Sequence, residues 1–125
     1  MTENELSTIV IGEAIEVHRQ LGPGLLESVY EHCLCYRLVQ KGLRIERQKP
    51  IPLVFEEVKL ECGFRCDILV EGKLILEVKA VDALNDIHVA QVLTYLKMTS
   101  TKLGLLLNFN VVLLKDGLQR VVNNL

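Results

Sequence analysis

The run Leu103–Phe109, apolar except at Gly104 and Asn108, constrains this chain more than any other segment. A strand that is apolar at successive positions has no face to give to water, so it belongs inside a sheet covered on both sides. Ahead of it lies a helical pattern. Asn85 or Asp86 supplies a cap, and Ile87, Ala90, Leu93 and Leu96 recur at helical spacing to about Met98. A helix that delivers a buried strand is a crossover connection, which makes the chain α/β, with a sheet in a two-layer or three-layer arrangement.

The rest of the pattern fills in around that unit. Ile11, Ala14, Ile15 and His18 mark one helix, with Leu21 continuing its face. Gly22-Pro23-Gly24 then breaks the chain. A second helix is expected from about Leu25 to Lys41, with Leu26, Tyr30, Cys33, Leu34 and Leu38 as its apolar stripe and Gly42 as its stop. Ile51–Phe55, Leu60–Val70 and Leu74–Lys79 read as three strands of an antiparallel meander, with Pro50 and Pro52 at an edge or strand start. Asp116-Gly117 is a turn, and Leu118–Val122 a closing strand. The expected order is ααβββαββ.

Composition bounds the function. The chain has 125 residues, 50% of them hydrophobic, enough for one domain over residues 1–125 with a core that needs no disulfide staple. Fourteen basic and sixteen acidic side chains give a net charge of −2, which excludes a polybasic nucleic-acid binder held by bulk charge. No run reaches the ~18 apolar residues of a membrane span. Met1–Ser7 is acidic and polar, unlike a signal peptide. Reduced cysteines in a cytoplasmic protein are therefore expected. Cys33 and Cys35 point roughly 200° apart on a helix, and Cys62 and Cys66 would lie about 13 Å apart along a strand. Neither pair suits a shared zinc ion, so the four read as small buried apolar residues.

Chemistry concentrates between Cys62 and Lys79. Even positions Cys66, Ile68, Val70, Leu74, Leu76 and Val78 are apolar, whereas Arg65, Asp67, Glu77 and Lys79 at odd positions are charged. A two-residue turn at Glu71-Gly72 would set Asp67 against Leu76. A three-residue loop, Val70 to Gly72, pairs Asp67 with Ile75 and leaves it diagonal to Glu77, about 7–8 Å away by Cα. The second register keeps the apolar set on one face and is the one expected. It gathers two carboxylates and an ammonium on one sheet face. Two such carboxylates can share a Mg²⁺ (or Mn²⁺) ion that keeps its remaining positions for water and phosphate, with the Val78 backbone carbonyl as a further ligand. The plain alternative is a set of cross-strand ion pairs on a solvated face, worth about 0.2–1 kcal/mol each.

Wider motifs favour the chemical reading. Gly24-Leu25-Leu26-Glu27-Ser28-Val29-Tyr30 matches a Gly-x-x-Glu-x-x-Tyr signature. Blocks at Gly63–Asp67, Glu77–Val81, Ala90–Leu96 and Gly104–Phe109 follow in order. With these, the chain resembles the GxxExxY protein family, which is grouped with the PD-(D/E)XK nuclease superfamily. The resemblance covers nearly the whole chain. It implies a restriction-endonuclease-like core: a mixed sheet of about five strands flanked by two N-terminal helices and one crossover helix.

The resemblance also implies roles. The strand acid falls on Asp67 and the (D/E)-x-K element on Glu77 and Lys79, although Cys66 stands where the superfamily has proline. Glu27 would be a further acid and metal ligand, though a carboxylate in a helix's first turn is favourable for its own sake. Gln91 and Tyr95, four apart on a helix, would position substrate or simply form a surface polar pair. His18 would orient a carboxylate or rest as a satisfied core imidazole. Tyr30 reads as a core residue supporting the site, its hydroxyl bonded to a neighbour. The expected function is metal-dependent phosphodiester hydrolysis of nucleic acid. The alternative is a catalytically idle module of the same fold, acting as a homodimer or as a subunit of a larger complex.

Overall fold

The computed structural model describes residues 1–125. Helix α1 (Glu3–Leu21) starts on a capping box: the Thr2 hydroxyl accepts from Glu5 N–H, and the Glu5 carboxylate accepts from Thr2 N–H. Its buried face is Leu6, Val10, Ala14 and Val17 with His18, whereas Ile15 and Leu21 are exposed. The expected stripe was thus rotated. Val10-Ile11 and Ala14-Ile15 are adjacent apolar pairs, so periodicity alone offers two stripes, and packing selects one of them. Helix α2 (Glu27–Gln40) starts two residues later than expected, leaving Leu26 as an N-cap 73% exposed to solvent. Tyr30, Leu34 and Leu38 are buried as expected, and Cys33 is half-buried. Gly42, at φ 82°, ends the turn that follows.

The strands are β1 (Ile45–Pro50), β2 (Leu53–Phe55), β3 (Val58–Leu60), β4 (Arg65–Val70), β5 (Leu74–Lys79), β6 (Leu103–Asn108) and β7 (Leu118–Val122). Helix α3 (Asp86–Thr99) connects β5 to β6, and a 3₁₀ turn, Leu114–Gly117, precedes β7. The five-stranded sheet has the order β1-β4-β5-β6-β7, with β5 and β6 parallel and every other pair antiparallel. This is the mixed α/β sheet expected, with a different second quarter. The chain's charged segment Ile45–Pro50, not expected as a strand, is one edge of the sheet, with β7 at the other. Ile51 and Pro52 belong to no strand, and Leu53–Phe55 pairs only with Val58–Leu60 in a separate hairpin. The long strand expected over Leu60–Val70 is interrupted until Arg65, with Gly63 at φ 77° in the break.

Two apolar clusters hold the layers. Leu6, Val10, Ala14 and Val17 of α1 and Tyr30, Leu34 and Leu38 of α2 pack against Ile68, Val70, Leu74, Leu76, Val78, Leu103, Leu105 and Leu107. On the other face, Val92, Tyr95 and Leu96 of α3 pack on Ile75 and Leu106. Ile87, 78% exposed in the first turn that Asn85 caps, and Ala90, also exposed, are not part of that stripe, because the helix packs through Val92, Tyr95 and Leu96 instead. All six residues of β6 are buried, as expected for a strand covered on both faces.

Close approach of α3 requires Gly104. A Cβ there would lie 2.6 Å from Val92 Cγ1. Overpacking of this kind costs about 1–3 kcal/mol. Gly104→Ala is therefore expected to lower the unfolding free energy by that amount, read as a lower urea midpoint at unchanged slope, whereas an unchanged midpoint would show that α3 shifts freely.

Candidate active site

Strand β4 pairs with β5 through Val70–Leu74, Leu69–Ile75 and Ile68–Leu76. Continued by one step, this register puts Asp67 directly opposite Glu77. The loop is three residues long, as expected, but consists of Glu71 to Lys73 rather than Val70 to Gly72. The two registers differ by two residues, so facing is preserved while the acids come closer than the diagonal reading had them.

The backbone ladder does not continue through the acids. Instead, Asp67 N–H donates to Glu77 Oε2 at 2.7 Å, and Val78 N–H donates to Asp67 Oδ2 at 2.8 Å. Each carboxylate takes an N–H from the other strand. Beyond this point β4 turns over. Ile68 and Val70 pack under α1 and α2, whereas Cys66 packs under α3. In an extended strand a residue's N–H and C=O point the same way, so the Val78 carbonyl also faces β4.

Burial dominates the electrostatics. Glu77 is 4% exposed, and burial followed by the Asp67 charge pushes its carboxyl up to about 8. Burial also raises Asp67, against the pull of the Val78 N–H and of Lys79. Lys79 is half-buried, and its charge favours both ionised acids without overcoming their desolvation. The ion pairs of the molecule are Arg19–Glu16, Arg37–Glu13, Arg47–Glu31 and Lys49–Glu46, so the Lys79 ammonium is committed to no carboxylate.

Glu27 reaches the same end of β5. Its Oε2 accepts from Ala80 N–H at 3.2 Å, while the residue itself is exposed. Tyr30 governs the approach to it. The Tyr30 hydroxyl donates to the Gly22 carbonyl at 2.6 Å and accepts from Leu25 N–H at 3.1 Å, fixing the glycine-proline turn just ahead of Glu27. Its ring stacks on Phe109 with centroids 4.5 Å apart, and Phe109 N–H in turn bonds the Lys79 carbonyl. His18 does not orient a carboxylate. Its Nε2 bonds the Val111 carbonyl at 2.8 Å and ties α1 to the segment after β6.

Tyr95 is buried in the cluster that includes Cys66, Ile75 and Leu106, tilted against Phe64, so Gln91 and Tyr95 are not a surface polar pair. Burial raises the Tyr95 phenol, with Glu77 and Asp67 adding to the effect. Gln91 is exposed one turn away, and its side-chain amide has no hydrogen-bond partner within the chain. The four cysteines are free thiols. Burial raises Cys35 to about 11 and Cys66 to about 12, so both stay protonated and act as apolar residues.

Two side chains not singled out in the sequence stand beside Asp67. Glu31, buried on α2, accepts from Arg47 Nε at 3.0 Å, and Gln48 Nε2 donates to Glu31 Oε1 at 3.0 Å and to Asp67 Oδ1 at 3.4 Å. A signal for Glu31 was present: it falls within the apolar stripe at i, i+3 and i+7 with Leu34 and Leu38. Gln48, in a charged edge segment, had none.

No group of three or more His, Cys, Asp and Glu side chains is arranged to hold a metal ion. The pair Asp67 and Glu77 nevertheless fits a hard cation. Mg²⁺ is commonly held by one or two carboxylates, with water and phosphate oxygens completing its shell. Two desolvated carboxyl groups with no committed counter-ion, whose ionisation burial and mutual repulsion oppose, are the donor chemistry such an ion relieves.

A pH dependence follows. Without metal, folded Glu77 keeps its proton up to about pH 8, whereas the unfolded chain releases it near its ordinary value of 4.5. The native state binds the extra proton across that window, so stability must fall as pH rises through it. In EDTA, the urea midpoint is expected to decline between about pH 4.5 and about pH 8, and Glu77→Gln to flatten the decline. A midpoint that rises over this range in the wild type would contradict the burial argument.

No helix is long and apolar enough to cross a membrane. No curated protein and no solved structure matches the chain. Its sequence matches the PD-(D/E)XK nuclease superfamily over residues 4–121. With the match spanning nearly the whole sheet and all three helices, the chain belongs to the PD-(D/E)XK nuclease superfamily.

Proposed function

We propose that this protein is a divalent-metal-dependent nuclease that hydrolyses phosphodiester bonds of nucleic acid. The observation that carries the reading is the reciprocal Asp67–Glu77 arrangement: a half-buried and a buried acid held opposite each other, with an uncommitted lysine on the strand that bears one of them. Asp67 and Glu77 would hold Mg²⁺ or Mn²⁺, with the Val78 carbonyl on the same side. When bound, the ion lowers the pKa of water and neutralises charge on the phosphoryl oxygens.

The chain's own residues do the positioning. Lys79 offers three donors and no acceptor in its charged form. It orients the attacking water and stabilises the negative charge that builds on the phosphate as the water oxygen bonds to phosphorus and the bond to the leaving oxygen breaks. Glu27 grips the end of β5 through Ala80, and its other carboxyl oxygen is free of protein partners to join the ion's shell. Tyr95 supports Glu77 from below, and Gln91 extends the same helix face toward substrate.

Purified protein with Mn²⁺ is expected to cut at least one of single-stranded, duplex or branched DNA or RNA. EDTA should abolish cutting. Asp67→Ala, Glu77→Ala and Lys79→Ala should each lower it by about 10²–10³-fold, the usual loss when one charge-stabilising group is removed from an active site. Retained cutting in Asp67→Ala or Glu77→Ala would overturn the assignment. Nucleic-acid binding that survives both changes, with no cutting by the wild type, would instead identify an idle binding module within a dimer or larger complex.

A further inference from the structure

Six non-glycine residues have positive φ, and only Gln48 among them lies inside a strand. Glu56, Glu57 and Glu71 are in hairpin turns, Ser100 caps α3, and Asn124 is near the C-terminus. The φ of Gln48 is 50°, a region glycine enters freely and long side chains avoid. Its place in the sheet is equally particular. The β1–β4 ladder pairs Arg47 with Ile68 and Lys49 with Cys66, but skips the step between them, where Gln48 faces Asp67.

The side chain shows what the unfavourable backbone achieves. Gln48 Nε2 donates to Glu31 Oε1 at 3.0 Å and to Asp67 Oδ1 at 3.4 Å, so one amide bridges two carboxylates. Glu31 is 5% exposed and is itself held by the Arg47 guanidinium, which makes it a fixed anchor. An amide suits this position chemically. It donates to both acids without adding charge, whereas a lysine would neutralise Asp67 and a glutamate would add a third like charge.

We propose that Gln48 is a positioning residue for Asp67. The backbone at φ 50° turns the amide inward, without a change of register, so that Asp67 Oδ1 is tied, through Gln48 and Glu31, to Arg47. Oδ2 is thereby aimed at Val78 N–H and the carboxylate faces Glu77. What Asp67 then does rests on the nuclease reading above; its orientation does not.

The test uses two variants. Gln48→Gly removes the amide and also the unfavourable conformation, so relief of the backbone offsets part of the lost hydrogen bonding. Gln48→Met keeps the length and removes the donors. Without metal, hydrogen exchange at the Val78 amide should accelerate in both variants, while exchange at Leu105 in the core stays as in the wild type. With Mn²⁺, affinity should fall about 10–100-fold, the usual effect of removing a residue that orients a metal ligand. Unchanged Val78 exchange in both variants overturns the positioning role. Accelerated exchange together with a wild type that fails to bind Mn²⁺ upholds it and removes the metal reading instead.

Discussion

Two carboxylates that each accept a backbone N–H from the opposite strand set the requirements for everything around them. An Asp67 or Glu77 free to rotate would find water and ionise normally. Held as they are, both are desolvated and both are raised, Glu77 to about 8. Such an arrangement persists only if the strands that carry it cannot separate. Strand β5 lies between β4 and β6, and β6 is buried on both faces. The acids therefore sit at the end of the least deformable part of the sheet.

The helices grip that end from the side. Tyr30 fixes the turn before Glu27 and stacks on Phe109, and Phe109 bonds the Lys79 carbonyl. Glu27 holds the next residue through Ala80 N–H. The stretch from Glu77 to Ala80 is thus tied to α2, to β4 and to the end of β6 at successive residues. One lysine side chain is left unpaired where the backbone is most restrained. That combination of a rigid frame and a free cation is what a positioned charge needs if it is to act without reorganising.

Much of this was legible in the residues. The apolar run Leu103–Phe109 and the helix before it established the crossover and the buried strand, because that pattern has few other solutions. The alternation from Cys66 to Val78 placed Asp67, Glu77 and Lys79 together. Where the reading failed, local pattern was ambiguous or tertiary context decided. Adjacent apolar pairs in α1 offered two stripes. The three-residue loop could close at either of two positions two residues apart, and both kept the apolar face intact; the structure takes the one that sets the acids opposite each other. Strand β1 is charged because it lies at an edge, so it carried no strand signal. Gln48 was invisible for the same reason, since its importance comes from backbone conformation and from neighbours distant in sequence. Of the two roles open to His18, satisfied core imidazole or carboxylate-orienting donor, the structure shows a bond to the Val111 carbonyl, and the sequence could not name that partner.

The most direct test is a crystal structure grown with Mn²⁺ and recorded at a wavelength where manganese scatters anomalously. The account predicts one strong peak within coordination distance of both Asp67 and Glu77, lost in Glu77→Gln crystals. A well-diffracting crystal with no anomalous peak between these two carboxylates, or with its peak at some other cluster, would contradict it.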